Sequence, residues 1–153
     1  MRARGFTLLE LILVLLLAGL LTALVVPSVS GTLESSRLRE GAAQVRATFS
    51  LARTLSASGG RERSVVFDVD RGEYGIAGES RRLLLPDGIW IRSIRIGDTV
   101  VDGERLSGEP GLPRVRFFPD GSAEEAEVVL TSSGGGRLRV VVDPLTGLAE
   151  AGT

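Results

Sequence analysis

The chain contains no cysteine and no histidine, and all 18 of its basic residues are arginine, so lysine is missing as well. Each absence removes chemistry. Without Cys there is no disulfide, no thiolate nucleophile and no thiolate metal ligand, and without His the commonest general base and metal ligand is gone. Without Lys no Schiff base can form, and a Ser-Lys dyad is excluded along with every Ser-His or Cys-His arrangement. Carboxylates remain, but nothing in one sequence brings two of them together in a cleft. No catalytic residue, cofactor or metal site is expected, and the chain reads as a non-enzyme. Aromatics are scarce too, with five Phe, one Trp and one Tyr. Trp90 and Tyr74 are assigned to the core or to a strand surface rather than to a ligand platform.

What is present is unevenly distributed. With 153 residues, 43% of them hydrophobic, the chain can form one modest domain plus one membrane element, not two full domains. Residues 34–64 carry six Arg against three Glu, whereas 65–153 carry ten Arg against fifteen acids, a balance of −5. A domain that binds nucleic acid by neutralising phosphates shows the opposite sign or a dense basic stripe.

The longest apolar run lies near the start. A leader holding Arg2 and Arg4 ends in Gly5, Phe6-Thr7-Leu8-Leu9-Glu10 follows, and an unbroken apolar stretch occupies Leu11 to Val26. No charge occurs from Leu11 to Leu33, 23 positions, and a helix needs roughly 20 residues to cross a bilayer core. Residues 6–30 therefore read as a transmembrane helix. Glu10 stands at its edge, where an ionised side chain costs roughly 2 to 3 kcal/mol on insertion scales. It calls for a partner, unless the carboxylate merely snorkels to the headgroups. Two plainer readings stay open. A cleavable secretory signal would need a small-residue site after the run, which Val25 to Ser30 matches poorly; an ordinary anchor oriented by Arg2 and Arg4 leaves Glu10 unexplained.

Beyond the apolar run a helical stripe of Leu33, Leu38, Ala42, Val45, Phe49, Ala52 and Leu55 continues the rod as an amphipathic helix over 31–58, ended by Gly59-Gly60. Pro27 is the expected bend, the alternative being two helices broken between Pro27 and Gly31. After Gly60 the period changes to short strand-like runs: 64–69, 73–77, 81–85, 89–96, 99–106, 114–118, 126–131 and 137–142, with Asp102-Gly103 as a hairpin signal. The expected fold is α+β: a long N-terminal helix laid on an antiparallel sheet or sandwich head formed by 61–153. Asp68, Asp70 and Glu73 could ligate Ca²⁺, but a solvated hairpin turn is the simpler account. Asp120, Glu124, Glu125 and Glu127 form an acidic loop cluster that either faces an arginine of a partner or keeps the surface soluble.

The basic leader with Gly5, Phe6, Thr7, Leu8, Leu9 and Glu10 resembles the class III signal of type IV pilins and type II secretion pseudopilins. The last third, with Phe117-Phe118-Pro119-Asp120-Gly121-Ser122, a strand, a Gly-rich turn and Arg139 to Gly147, resembles the head of the GspH/FimT family, whose type II secretion members are minor pseudopilins. The resemblance implies a leader peptide, 1–5, cut by prepilin peptidase between Gly5 and Phe6, with methylation of the Phe6 amine. In the filament Glu10 would meet that amine on a neighbour, two costly charges made tolerable together, and so fix axial register. It further implies a single-pass inner-membrane protein with a periplasmic head. Its partners would be other pseudopilins, major and minor, the inner-membrane assembly platform, and the secretin or cargo. The alternative is a FimT-like minor pilin of a type IV pilus, where some relatives bind DNA in natural transformation through Gly-Arg-x-Arg. Gly136-Arg137-Leu138-Arg139 matches that pattern but opens a strand instead of sitting at Thr146-Gly147. Arginines at i and i+2 on a strand share one face and commonly just solvate it. Nucleic acid is not an expected partner. A membrane-anchored periplasmic binding domain is the third class.

Overall fold

The computed structural model describes residues 7–102 and 111–152, the side chains of 22–30 excepted. Gly5 and Phe6, and the side chain of Pro27, lie outside the described residues. The chain divides into two compact units, Met1–Leu33 and Glu34–Thr153. One helix, α1 (Leu8–Gly59), contributes to both.

In the first unit Thr7 caps the helix. Its hydroxyl accepts the Glu10 N–H at 3.3 Å, and its carbonyl accepts from Glu10 and Leu11 at 3.1 and 3.2 Å. Thr7 and Glu10 thus stand at the two ends of a Thr-x-x-Glu capping signature, with the acid in the first turn where the helix dipole favours it. From Leu8 to Leu21 the large apolar side chains keep between 49% (Leu17) and 78% (Leu8) of their surface exposed. Among the described residues no helix is long and apolar enough to cross a membrane. The side chains described in this run end at Leu21.

The second unit is the head. Helical spacing puts Leu38, Ala42, Val45, Phe49 and Ala52 on one buried stripe, with Leu55 partly buried beside it. Leu33, expected on that stripe, is 52% exposed; it precedes the head, whose burial begins at Leu38. Gly60, with φ of 59°, takes the left-handed conformation that ends a helix at little cost to glycine.

Nine strands follow among the described residues: β1 (Arg63–Asp68), β2 (Glu73–Ile76), β3 (Leu83–Leu84), β4 (Ile89–Ile96), β5 (Thr99–Asp102), β6 (Arg114–Phe117), β7 (Ala126–Ser132), β8 (Arg137–Val142) and β9 (Ala149–Gly152). They form two antiparallel sheets, a four-stranded one ordered β3-β2-β1-β6 and a five-stranded one ordered β5-β4-β7-β8-β9. Alternation buries Ile89 and Ile91 of β4 and Val128 and Leu130 of β7, and a bulge between Ile91 and Ser93 shifts the period so that Ile94 is buried as well. The helix reaches both sheets. Phe49 meets Phe67 of β1 edge-on at 5.9 Å and Phe117 of β6 at 5.6 Å, while Phe67 stacks on Tyr74 of β2 at 5.9 Å. At Gly41 a Cβ would touch Pro86, Ile89 and Leu130 at 3.4 to 3.6 Å, so the helix lies close to the five-stranded sheet there.

The hairpin between β4 and β5 turns at Gly97-Asp98, between the paired residues Ile96 and Thr99. Asp102 ends β5 opposite Ser93, and the Asp102-Gly103 hairpin signal runs into residues outside those described. The last strand, β9, was not expected; Ala and Gly have poor strand propensity, and its formation follows from register with β8, in which Val142 opposes Ala149.

Candidate functional site

The head carries no described cluster of acids that could hold a metal ion. Asp68 instead closes its own turn, its carboxylate accepting the Arg71 N–H at 3.2 Å. The acidic loop cluster also separates into pairs. Glu124 binds Arg116 through both side chain (2.5 Å) and backbone N–H (3.1 Å), which lowers the carboxyl pKa, and Glu127 bonds Arg95 across the β4–β7 pair. Glu124 and Glu127 thus meet arginines of the chain itself.

The densest polar construction joins the two turns that resembled a family head. Asp120 accepts the N–H and hydroxyl of Ser122 at 2.9 and 2.6 Å. Asp143 accepts the N–H groups of Leu145 and Thr146 at 3.0 and 2.8 Å and the Thr146 hydroxyl at 2.9 Å. These local bonds, to Ser122 and Thr146 respectively, hold both carboxyls below the usual range. Arg53, from the helix, then fastens the turns together: its Nε donates to the carbonyl of Thr146 at 2.7 Å and of Gly121 at 3.3 Å. Gly147 is buried with φ of 62°, and a Cβ there would lie 2.5 Å from the Gly121 oxygen. Only glycine fits. One result of this bracing is Leu145, fixed at the tip of the turn with 86% of its surface exposed.

Ser56 makes a comparable tie one helical turn later. Its buried hydroxyl stands 2.9 Å from the carbonyl oxygens of both Phe117 and Arg61. At the other end of the head's helix, Glu34 accepts the Ser133 hydroxyl at 2.8 Å, and Arg37 donates to the Asp87 carbonyl at 3.4 Å. Arg53 was not among the candidate site residues of the sequence. The usable signal was its place four residues after Phe49, next to buried Ala52, where a solvated arginine has little room.

Arg137 and Arg139 are both exposed on β8, as alternation requires. Trp90, Thr131 and Arg137 line up across β4, β7 and β8, with Trp90 46% exposed, so Trp90 belongs to a strand surface. Tyr74 is fully buried; loss of hydration pushes its phenol up to about 12, with the Thr48 hydroxyl pulling slightly the other way. Glu10 is exposed and meets no ion-pair partner among the described residues.

The family described as Type II transport protein GspH matches residues 41–147, more than two thirds of the chain. The chain belongs to that family. The GspH match begins on the helix at Gly41, includes Arg53 and both turns it joins, and ends at the glycine that cannot carry a Cβ. The minor pseudopilin EpsH of the Vibrio cholerae type II secretion system is similar in fold, at TM-score 0.58 and 14% identity, covering 76% of this chain and 93% of its own. The type IV minor pilin FimU of Pseudomonas aeruginosa is similar to nearly the same degree, at TM-score 0.57 and 14% identity, covering 78% and 91%. No curated protein sequence matches significantly. The fold is therefore pilin-like, a long N-terminal helix on antiparallel sheets, shared by secretion and pilus subunits alike.

Proposed function

We propose that this chain is a minor pseudopilin of a type II secretion system, a structural subunit without catalysis. The carrying observation is that a GspH-family head and a stretch of α1 with apolar side chains exposed on all sides occur in one chain. A helix apolar all round requires apolar surroundings, which a bilayer supplies before assembly and neighbouring helices supply within a filament. In this reading prepilin peptidase cuts between Gly5 and Phe6 and the new Phe6 amine is methylated. Residues 6–30 anchor the chain in the inner membrane, Pro27 allows a bend, and the head works in the periplasm. Glu10 pairs with the Phe6 amine of an adjacent major or minor pseudopilin. The inner-membrane platform, the secretin and cargo are the remaining partners.

Mass spectrometry of membrane-extracted protein tests the anchor: an N-terminus at methylated Phe6 is expected, and an intact Met1 or a cut after Ser30 rejects it. Deleting the gene should stop export of folded proteins while leaving pili and transformation intact; the converse phenotype assigns the chain to a type IV pilus. A gel shift with DNA at low salt should be negative. Binding abolished by Arg137→Ala and Arg139→Ala would reverse that assignment.

A further inference from the structure

The outer face of the five-stranded sheet gathers Trp90 and several arginines in a head whose charge balance is acidic. We propose that this face docks a short acidic segment of another protein, which lays carboxylates on Arg92 and Arg137 and an apolar side chain on Trp90.

Register and burial place the patch. Trp90, Thr131 and Arg137 form one row across β4, β7 and β8, and Ser93, Val129 and Arg139 form the next. The bulge between Ile91 and Ser93 adds Arg92 to β4 with no residue opposite it on β7. Ile91 and Ile94 are buried while Arg92 is exposed, so the extra residue goes to the outer face. Two strand spacings of about 4.8 Å separate β4 from β8, which puts Trp90 and Arg137 about 10 Å apart at the backbone with only Thr131 between them. Thr131 is buried and donates its hydroxyl to the Gly136 carbonyl at 3.1 Å, so the floor of the patch holds no competing polar group.

Charge decides the occupant. Neither Arg92 nor Arg137 has an ion-pair partner among the described residues, and the one guanidinium described over a ring is that of Arg116, at Phe118. The acids of this face lie to its sides. Asp102 stands opposite Ser93 on the edge strand β5, Glu127 is bonded to Arg95, and Glu150 is opposite Val141, one row beyond Arg139. A long polyanion such as nucleic acid would have to pass over these carboxylates, whereas a short acidic segment ends before it reaches them. Guanidinium groups take carboxylates in bidentate pairs, and Trp and Arg are among the side chains that most often carry the energy of a protein interface. The contact belongs to the head's surface and serves a secretion or a pilus subunit alike, so its failure leaves the proposed function standing.

The test uses full-length protein in detergent and a dye-labelled glutamate peptide with one central leucine, titrated at low salt and followed by fluorescence anisotropy. Saturable binding with a Kd below about 1 mM is expected, weakening as salt is raised. Arg92→Gln with Arg137→Gln should weaken it at least about tenfold, and either change alone, or Trp90→Ala, at least about threefold. Arg39→Gln with Arg114→Gln removes the same charge from exposed positions elsewhere and should leave binding unchanged. The proposal is overturned by the absence of saturable binding, by equal binding of the same peptide with glutamine in place of glutamate, or by an equal loss in the Arg39 and Arg114 variant. Tighter binding of an oligothymidylate of equal length also overturns it and assigns the face to nucleic acid.

Discussion

Residues 8–21 and 38–55 are stretches of the same helix with the same backbone geometry, and their apolar side chains meet opposite fates. In the first, large apolar groups point in every direction and stay exposed; in the second Leu38, Ala42, Val45, Phe49 and Ala52 share one stripe buried to the last few per cent, with Leu55 partly buried beside it and, of the large groups, Leu51 alone half exposed. A stripe can be covered by the chain's own two sheets. An apolar surface all round cannot, and each large side chain left in water forgoes about 1.5 to 3 kcal/mol. The periodicity of α1 therefore separates the part of the molecule that is complete by itself from the part whose cover must come from outside.

That contrast can be broken at several points. The largest effect belongs to Glu10→Leu, which should abolish assembly into filaments, read by cross-linking in membranes, while leaving the head's urea midpoint unchanged. A shifted midpoint would mean that Glu10 serves the fold. Phe49→Ala should do the reverse, destabilising the head by about 3 to 5 kcal/mol because Phe67 and Phe117 lose the ring between them. Leu13→Ala in the exposed stretch should move the same midpoint by less than about 0.5 kcal/mol. Arg53→Ala should cost about 2 kcal/mol by leaving the Thr146 and Gly121 carbonyls without their charged donor, and hydrogen exchange at the Asp143 to Gly147 turn should rise. Gly147→Ala should cost more than about 1 kcal/mol, from the left-handed backbone and the approach to the Gly121 oxygen together.

The smallest effects are those of pH. Asp120 and Asp143 have folded pKa values below their unfolded ones, so their contribution is fully present above about pH 4 and is lost as pH falls through the folded values. Asp143→Asn should flatten the acid limb of a stability curve. Tyr74 acts at the other end. Its raised value favours the neutral phenol in the fold, so stability should fall as pH climbs from about 10 towards about 12, and Tyr74→Phe should remove that slope.

Much of this was legible in the sequence where a periodic pattern met a strong punctuator. The stripe from Leu38 to Leu55, its end at Gly59-Gly60, and most strands between Pro, Asp and Gly turns are local signals, and local signals survive folding. What escaped detection depended on distant pairing. Arg53 acquires its role from carbonyls 68 and 93 residues away, and Ser56 from Phe117, 61 residues on. β9 exists because β8 offers it a register. The separation of the strands into two sheets is likewise a matter of which edges meet, to which alternation is blind. Glu10 is conspicuous for its charge, and the Thr7-x-x-Glu10 spacing of a helix cap stands beside it in the sequence.

The scarcity of aromatic residues has a practical side. The chain's one tryptophan is half exposed on the five-stranded sheet, and its one tyrosine is sealed in the aromatic cluster under the four-stranded sheet. Each sheet thus carries its own native fluorophore, in opposite surroundings. Trp90 emission should already be that of a partly hydrated indole in the folded state and respond to whatever covers its face. Ultraviolet absorbance of Tyr74 should stay blind to such binding and change only when the core opens. Without labels, docking and unfolding could be followed on separate channels in one cuvette.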